Sequence, residues 1–339
     1  MITNKNNRPL VSVVMPCFNS AQHLNQAIDS VLEQDYPNIE LIVVDDGSTD
    51  NSLQILQQYG DKIKVIVQKN GGPAAARNTA MRAATGDFIA FNDSDDIWLP
   101  GKLSTQINYL LATPEIGLCY TSWIVWDQQQ PLQQRLNKQP NISAQQLVPE
   151  FSGWIYLKLL KVSYIHTTTA VMRKDIIDNV GYFNEAYRVG EDHDYWLRIS
   201  QYCQVTKLKR AYSVYRDEPI SITKTLHPHN FSLLVLEDNI RRFGLNCPSG
   251  AKIELSQVEK YLGERHFVYG YQAMLSKQRH IAFKSFKFGL KYRYKFARTF
   301  FLMLACSNSI TFKLLLKKRQ LQIIRSFYNN ILGGVTCLG

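Results

Sequence analysis

Three aspartates lie within four residues of one another in the segment "FNDSDDIWLP", at Asp93, Asp95 and Asp96. Carboxylates this close together raise one another's pKa unless a cation offsets their charge. Mg²⁺ and Mn²⁺ prefer oxygen ligands and are often held by one or two carboxylates together with phosphate oxygens. We therefore interpret the segment as a site for a metal ion and a diphosphate, with Asp95 as the metal ligand and Asp93 placed to meet a ribose or sugar hydroxyl. A solvated turn or a helix cap is the alternative interpretation.

A second acidic pair, Asp45 and Asp46, ends the apolar run "IELIVVDD", just as the aspartates at 93–96 follow the apolar run "DFIAF". Continuous apolar runs of this kind are typical of strands buried in a parallel sheet. Ligands of such sheets bind beyond the carboxyl ends of the strands. Both acidic clusters are therefore predicted to meet at one edge of a sheet.

The elements that must position these clusters alternate between strand and helix periodicity. Buried strands are predicted at "VSVVMP", "IELIVVDD", "KIKVIVQ" and "DFIAFND". Helices are predicted between these strands and again from Leu99 to about Leu111. Because parallel neighbours need crossover helices, this alternation predicts a doubly wound α/β sheet covered by helices on both faces.

After residue 111 the pattern loosens. Strands are predicted at "IGLCYTSWIVWD", "YIHTTTAVM" and "VTKLKRAYSVYR", and a helix with an acidic first turn at "EDHDYWLRISQY". Beyond Leu226 the chain is predicted to be helical, with basic and aromatic residues mixed together. A domain edge is predicted near residues 226–232.

The charge of the chain is unevenly distributed. The net charge is +11, and residues 265–339 contain 14 Lys and Arg but no Asp or Glu. The six cysteines are scattered singly, which disfavours a disulfide framework or a zinc site and favours a reducing compartment. The polar N-terminus lacks the apolar stretch of a signal peptide, and no uncharged run approaches the roughly 20 residues needed to cross a bilayer.

Several of these segments together resemble family 2 of the glycosyltransferases, which are inverting enzymes of the GT-A fold. The shared motifs are P-x-F-N after the first strand, V-D-D-G-S-T-D, N-x-G followed by A-R-N, D-x-D and a distal E-D. The resemblance covers roughly residues 9 to 220. It implies a Rossmann-like, mixed, mainly parallel sheet with a nucleotide-binding half at 1–111 and an acceptor half at 112–226. The sequence pattern itself predicts a helical basic region at 227–339 after this domain.

The resemblance also implies which residues bind a nucleotide-sugar donor. The nucleoside is expected at Pro16, Phe18, Asn19 and Asp46, where Asp46 accepts from a base N–H and Asp45 supports the loop, although the reverse assignment is open. The remaining donor contacts are expected from Arg77, Asp93 and Asp95. For Arg77 the alternative is simple helix packing. Mn²⁺ or Mg²⁺ is the implied cofactor.

The general base implied by the E-D motif is Asp192, with Glu191 orienting it. Such a base takes the proton of the acceptor hydroxyl as that hydroxyl attacks the anomeric carbon. The alternative for both carboxylates is that they only complement the dipole of their helix. His166 and His193 are interpreted as structural. Many members of the family have a histidine shortly after the Y-R pair of the last strand, whereas here the first histidines after Tyr215 are His227 and His229. Either of them could reach the metal or the diphosphate, and the favoured interpretation is that they have no role.

The predicted function is therefore transfer of a single sugar from a nucleotide-sugar, expected to be a UDP-sugar, to a saccharide or lipid-linked acceptor in bacterial-type surface polysaccharide synthesis. Processive relatives carry Q-x-x-R-W and several membrane spans, and this sequence has neither. A catalytically degenerate relative that binds lipid or nucleic acid is the main alternative. A nucleotidyltransferase or phosphohydrolase is disfavoured by the E-D pair, and dinucleotide and P-loop sites by the absence of their glycine motifs.

Residues 277–325 hold 13 Lys and Arg interleaved with aromatic and aliphatic residues. Such a segment suits an anionic membrane surface, and nucleic acid is the less favoured partner. The alternative is a helical bundle whose long basic side chains lie along apolar surface. We predict a cytoplasmic protein that associates peripherally with the inner face of the cell membrane.

Overall fold

The computed structural model describes residues 8–217 and 226–317. These residues divide into two compact units. The first unit comprises 8–217 together with 247–251, and the second comprises 226–246 together with 252–317. The assignment of donor and acceptor roles to the two halves of the first unit stays a prediction.

An eight-stranded sheet forms the centre of the first unit, with the spatial order β3-β2-β1-β4-β7-β6-β8-β5. Its strands are β1 Val11–Cys17, β2 Ile39–Asp45, β3 Lys64–Val67, β4 Phe88–Phe91, β5 Ile97–Trp98, β6 Ile116–Trp126, β7 Val171–Arg173 and β8 Gln204–Arg216. Strands β1 to β4 pair in parallel, as do β6 and β8, whereas β7 and β5 run antiparallel to their neighbours. The predicted mixed, mainly parallel α/β sheet is confirmed.

The helices of the first unit follow the predicted alternation. They are α1 Leu24–Leu32, α2 Ser52–Gln58, α3 Pro73–Ala83, α4 Lys102–Ala112, α5 Leu132–Leu136, α6 Tyr156–Leu159, α7 Ile176–Val180 and α8 Glu191–Tyr202. Helix α1 buries Leu24, Ala27, Ile28 and Val31, at the spacing of one helical face, in the same apolar core as strands β1 and β2. The helices thus hold the strand ends, and the polar loops that follow them, in fixed positions.

The prediction of a strand at "YIHTTTAVM" is wrong for most of its length, since β7 covers only Val171–Arg173. Residues Thr167–Thr169 form a 3₁₀ turn in which the Thr169 amide donates to the His166 carbonyl at 2.9 Å. The Thr168 hydroxyl donates to Asn92 Oδ1 at 2.7 Å. These side-chain bonds replace the ladder bonds that a strand would have formed.

The second unit is helical, as predicted. Its helices are α9 Phe231–Phe243, α10 Leu255–Leu275, α11 Arg279–Gly289, α12 Phe296–Ser307 and α13 Ser309–Lys317. Phe267, Met274, Phe286, Leu302 and Phe312 belong to its apolar core. Within the described ranges no helix is long and apolar enough to cross a membrane. Residues 318–325 of the predicted basic segment lie outside the described residues.

Candidate active site

The loop after β1 is fixed against the loop after β2. Asn19 adopts a left-handed backbone conformation with φ of 50°, which asparagine tolerates better than most residues. Its amide donates to Ser48 Oγ at 3.0 Å, and its Oδ1 accepts from the Thr49 amide at 2.8 Å. Pro16 lies within β1, whereas the Phe18 side chain is 49% exposed. The loop therefore offers an exposed aromatic ring beside a rigid polar turn.

Asp46 follows β2 and binds the segment that leads into α3. Its Oδ1 accepts from Gln68 Nε2 at 2.7 Å and from the Gly71 amide at 2.8 Å, and its Oδ2 accepts from the Gly72 amide at 2.8 Å. Because a carboxylate offers about four acceptor positions, Asp46 keeps one on Oδ2. Asp45 is also buried, and its Oδ1 has no partner among the described residues. Which of the two meets a nucleoside therefore stays a prediction.

Arg77 lies on α3 and joins two parts of the site that are far apart in sequence. Its Nη2 donates to Asp93 Oδ1 at 2.7 Å, and its Nη1 donates to Glu191 Oε1 at 2.8 Å. The guanidinium is buried and lies over the Phe183 ring at 5.6 Å from the ring centroid. Burial alone would lower the pKa of Arg77, but Asp93 and then Glu191 more than offset it and raise the pKa. Arg77 is thus a buried cation shared by two carboxylates.

The sequence left two roles open for Arg77, a contact with the donor or packing within its helix. The guanidinium is engaged by protein carboxylates, which is more than helix packing, and only its Nε lacks a hydrogen-bond partner among the described residues. A direct donor contact by Arg77 stays a prediction. Through its two hydrogen bonds Arg77 holds Asp93 next to the start of α8.

The loop at residues 93–96 is tied to the last strand of the sheet. The Arg216 amide donates to Asp96 Oδ1 at 3.1 Å, and Arg216 Nε donates to the Asp95 carbonyl at 2.8 Å. Asp96 is buried, and its Oδ2 has no partner among the described residues. Burial, followed by the charges of Asp95 and Asp93, raises the pKa of Asp96 well above its usual value. The loop therefore concentrates negative charge that a cation would offset.

The residues present fit a hard divalent ion. The donor set consists of carboxylate oxygens, which suit Mg²⁺ and Mn²⁺, and it includes the unpartnered Asp96 Oδ2. In the described part of the chain no group of three or more His, Cys, Asp or Glu side chains forms a metal site of its own. Such a loop suits an ion that keeps few protein ligands and takes others from a diphosphate. The role of Asp95 as the ligand stays a prediction.

The first turn of α8 presents the E-D pair. The helix begins after Gly190, whose φ of 83° lies in the left-handed region that favours glycine. Glu191 is buried, and burial raises its pKa to about 7. Asp192 is only partly buried, and its Oδ1 accepts from the His193 amide at 2.7 Å. Of the two carboxylates, Asp192 is the one that remains accessible to a substrate.

Helix α8 is anchored by aromatic and polar contacts behind this turn. The Trp196 ring is fully buried and lies 5.8 Å from the Phe91 ring, between centroids, so Trp196 belongs to the core. His193 Nε2 lies 2.6 Å from the Leu159 carbonyl oxygen. These contacts place the end of β4 and the start of α8 against each other, which positions Asp192 relative to the loop at 93–96.

A group of three half-buried rings beside the carboxylates was not indicated by the sequence. The His166 ring lies 5.4 Å from Trp123 and 4.6 Å from Tyr215, between centroids. Burial lowers the pKa of His166, and its Nδ1 has no hydrogen-bond partner among the described residues. The charges of Asp93 and Asp192 both reach the ring. Only the pairing of distant strands brings these rings together, so no spacing in the sequence could have revealed them.

His227 and His229, the histidines that follow Tyr215 in the sequence, lie in the second unit. Their rings lie 5.8 and 6.2 Å from the ring of Phe231, between centroids. The His227 carbonyl accepts from the Tyr269 hydroxyl at 2.6 Å.

Comparisons with known proteins agree with this geometry. Residues 12–181 match the family model described as glycosyl transferase family 2. An uncharacterized glycosyltransferase of Rickettsia prowazekii is 32% identical over 221 residues, which make up 65% of this chain and 64% of that protein. The match thus spans less than two thirds of that relative's length. The Escherichia coli enzyme WfgD, named as a UDP-Glc:α-D-GlcNAc-diphosphoundecaprenol β-1,3-glucosyltransferase, is 34% identical over 195 residues, 56% of this chain and 69% of WfgD.

Two solved structures share the fold. Residues 1–349 of TarS from Staphylococcus aureus, in complex with UDP-GlcNAc, match with a TM-score of 0.60 and 22% identity over 84% of this chain and 81% of that chain. The mannosyltransferase PcManGT from Pyrobaculum calidifontis, in complex with GDP-Man and Mn²⁺, matches with a TM-score of 0.57 and 18% identity over 91% of this chain and 87% of that chain. The motifs, the sheet and the relatives agree, and the chain belongs to glycosyl transferase family 2.

Proposed function

We propose that this protein is an inverting glycosyltransferase that moves a single sugar from a nucleotide-sugar donor, a UDP-sugar, to a saccharide or lipid-linked saccharide acceptor. The observation that carries the proposal is the position of Arg77, which holds Asp93 at 2.7 Å and Glu191 at 2.8 Å. Arg77 thereby joins the donor-side loop and the helix that bears Asp192 into one site. A structural ion pair elsewhere would not link the two motifs on which the chemistry depends.

The donor is held by the ends of three parallel strands. The exposed Phe18 ring stacks on the base, and the loop of Asn19 and Asp46 fixes the nucleoside. Asp93 meets a hydroxyl of the ribose or the sugar, and Asp95 and Asp96 would hold Mn²⁺ or Mg²⁺. When bound, such an ion offsets the charge that develops on the departing nucleoside diphosphate.

The acceptor reacts at Asp192. The acceptor oxygen forms a bond to the anomeric carbon while the bond from that carbon to the phosphate oxygen breaks, and the nucleoside diphosphate leaves with the electron pair. Asp192 takes the proton of the acceptor hydroxyl, which makes the attacking oxygen a better nucleophile. Because attack comes from the face opposite the leaving group, the configuration at the anomeric carbon inverts. The carboxylate of Glu191 is bound by Arg77. Glu191 therefore orients Asp192 by fixing the start of α8.

The half-buried rings of Trp123, His166 and Tyr215 suit the acceptor sugar. Aromatic rings offer an apolar surface to the C–H face of a pyranose, and the unpartnered His166 Nδ1 offers a hydrogen bond to a hydroxyl. The His166 ring interacts electrostatically with both Asp93 and Asp192. Within this proposal it holds the acceptor beside its base.

The relatives support a UDP-sugar and a lipid-linked acceptor. WfgD is named for transfer from UDP-Glc to a GlcNAc-diphosphoundecaprenol, and TarS has been solved with UDP-GlcNAc. A putative teichuronic acid biosynthesis enzyme, TuaG of Bacillus subtilis, is 43% identical over 108 residues. These names favour surface polysaccharide synthesis. Within this proposal the protein works at the cytoplasmic face of the cell membrane, which residues 277–325 would meet peripherally.

The test is calorimetric titration of the full chain with UDP, GDP, CDP and dTDP, each with and without Mn²⁺. We expect UDP to bind in the presence of Mn²⁺ and to bind much more weakly without it or to Asp95→Ala. UDP-Glc and UDP-GlcNAc then enter transfer assays with a synthetic GlcNAc-diphosphoryl lipid. If a folded protein binds none of the four nucleotides, the proposal is wrong and the degenerate, lipid-binding or nucleic-acid-binding relative becomes the better account.

A further inference from the structure

The outer faces of helices α12 and α13 are apolar where a helix of a monomeric protein is normally polar, and Phe288 of α11 is exposed beside Lys284 and Lys287. Of the 15 large hydrophobic side chains that are exposed among the described residues, seven lie between residues 288 and 314, and each is between 43% and 67% exposed. They are Phe288, Phe296, Phe300, Phe301, Leu304, Ile310 and Leu314. Scattered exposed apolar residues need no explanation, but a contiguous group marks an interaction surface.

In helix α12 the exposed apolar side chains lie on one side and the buried ones on the other. Leu302 and Cys306 are buried in the core of the second unit, as is Thr299 beside them. At 3.6 residues per turn, Phe296, Phe300, Phe301 and Leu304 instead span an arc of about 140° on the opposite side. The rings of Phe296 and Phe300 stack with 6.3 Å between centroids and 7° between planes. The helix is therefore apolar on both its inner and its outer face.

Helix α13 continues the same pattern. Phe312 is buried in the core, whereas Ile310 and Leu314, four residues apart and therefore on one side of the helix, are exposed. We call the seven exposed side chains the apolar face. Its charged neighbours in the sequence are all basic, because residues 279–317 contain nine Lys and Arg and no Asp or Glu. In space, the charges of Glu237 on α9 and Glu264 on α10 reach only Lys291 and Lys295 of this stretch among the interactions described.

We propose that the apolar face is the docking surface of this protein for an anionic lipid bilayer. Aromatic and aliphatic side chains enter the boundary between headgroups and acyl chains, and the surrounding basic residues attract the anionic headgroups. The exposed Lys284, Lys287 and Lys313 are placed among the residues of the apolar face for this purpose. The helices lie on such a surface and do not span it, in keeping with their length and composition within the described ranges.

Charge decides against the other occupants of this face. A second copy of the chain would bring nine basic residues against nine basic residues, which repel. Residues 318–339 carry three further basic residues and no acidic residue, so they offer no complementary charge either. Nucleic acid offers the charge, and its bases stack on rings such as the four phenylalanines, but it leaves the aliphatic Leu304, Ile310 and Leu314 uncovered. The boundary of a bilayer covers rings and aliphatic side chains alike.

The proposal is tested by flotation of the full chain with vesicles of phosphatidylcholine alone or with about a third of phosphatidylglycerol, at low and high NaCl. The wild type is expected to float with the anionic vesicles and not with the neutral ones. The double variant Phe300→Ser/Phe301→Ser should lose at least about tenfold in vesicle affinity, because two rings no longer enter the apolar boundary. Lys284→Gln/Lys287→Gln should weaken binding at low salt and change little at high salt.

Leu255→Ser is the matched control. Leu255 is 59% exposed, as Phe301 is, and lies at the start of α10 in the same unit but outside the basic stretch. This variant should float like the wild type. Circular dichroism verifies that every variant is folded, and exposed positions are chosen so that serine is tolerated.

Three outcomes would overturn the proposal. The wild type could fail to float with anionic vesicles, or Phe300→Ser/Phe301→Ser could float as well as the wild type. Alternatively, the same double variant could convert a dimer into a monomer on size-exclusion chromatography while vesicle binding is unchanged, which would assign the face to a second copy. No sugar or nucleotide is used in these assays, so their result is independent of the proposed transferase activity.

Discussion

Charge is used in opposite ways in the two units. In the first unit the half-buried Asp93 and the buried Glu191 share the buried guanidinium of Arg77, at 2.7 Å and 2.8 Å. In the second unit Lys284, Lys287 and other basic residues are exposed and have no acidic residue nearby in the sequence. Removing one partner of a buried ion pair is costly, because the other charge is left buried and unpaired. Exposed charges act together on a partner surface, and salt screens them.

The contrast between buried and exposed charge predicts where single substitutions should change activity or stability. In the first unit one changed atom should alter catalysis or folding by orders of magnitude. In the second unit one changed charge should leave the free energy of unfolding nearly unchanged and lower vesicle affinity only several-fold at low salt.

Asp192→Asn is expected to lower the rate of transfer by about 100- to 10,000-fold, because the amide cannot take the acceptor proton. The affinity for UDP in the presence of Mn²⁺ should stay close to that of the wild type. Turnover of a UDP-sugar and calorimetry with UDP measure the two effects separately. Asp178→Asn, which also removes an aspartate from the first turn of a helix, serves as the control and should leave both unchanged. Equal loss of binding and turnover would make Asp192 a donor-site or folding residue.

Arg77→Met is expected to lower the free energy of unfolding by about 3–5 kcal/mol, because it leaves the buried Glu191 and the half-buried Asp93 without their shared cation. Urea denaturation followed by circular dichroism measures this change. The control is Arg82→Met, since Arg82 and Glu185 form an ion pair at 3.8 Å with side chains 54% and 48% exposed. Loss of that exposed pair should cost less than about 1 kcal/mol. Similar costs for the two variants would break the contrast between buried and exposed charge.

The local part of this site could be predicted from the sequence. Helix α8 begins at Glu191, as the glycine and the acidic first turn of "GEDHDYWLRIS" indicate, and β4 ends at Phe91, just before the acidic loop. These features rest on periodicity and on capping chemistry within a few residues. The placement of acidic clusters after buried strands followed from the same local signals.

The remaining features depend on contacts between distant parts of the chain. Arg77 and Glu191 are 114 residues apart, so no local pattern could indicate their pairing. The segment predicted as a strand at 164–172 is mostly a turn, because Trp98 Nε1 donates to the Thr168 carbonyl at 3.0 Å and Asn92 accepts from the Thr168 hydroxyl. The sequence "FARTFFLMLACS" would suit a fully buried helix, and only the structure reveals that α12 exposes one apolar side.

Asp46→Asn and Asp45→Asn together sharpen the account of the nucleoside site. In Asp46→Asn one carboxylate oxygen becomes an NH₂ group, so either the Gly71 amide, which donates to Oδ1, or the Gly72 amide, which donates to Oδ2, loses its acceptor. Within the proposed function Asp46 also accepts from the N–H of the base, and a charge-assisted hydrogen bond is worth about 1.5–3 kcal/mol, so the affinity for UDP should fall about 10- to 100-fold. Calorimetry with UDP measures the effect. A larger loss in Asp45→Asn than in Asp46→Asn would assign the nucleoside contact to Asp45.

His166→Ala is expected to raise the KM for the acceptor about tenfold, with little change in the affinity for UDP, since one hydrogen bond and one ring face are lost. Initial rates at varied concentrations of the GlcNAc-diphosphoryl lipid measure the KM. His280→Ala, which changes an exposed histidine of the second unit, is the control in the same assay with detergent-dispersed acceptor. If His166→Ala weakens UDP binding instead, the three rings hold the donor sugar.

Lys287→Gln is expected to have the smallest effect. Its ammonium group is exposed, so its loss should leave the free energy of unfolding within about 0.5 kcal/mol of the wild type. Near an anionic bilayer one basic residue is worth about 1 kcal/mol, so vesicle affinity should fall about fivefold at low salt. At 1 M salt the Debye length is about 3 Å, and the difference should disappear. A single lysine that instead changed stability or binding as strongly as Arg77→Met would mean that the basic unit, like the acidic site, holds its charges in specific pairs.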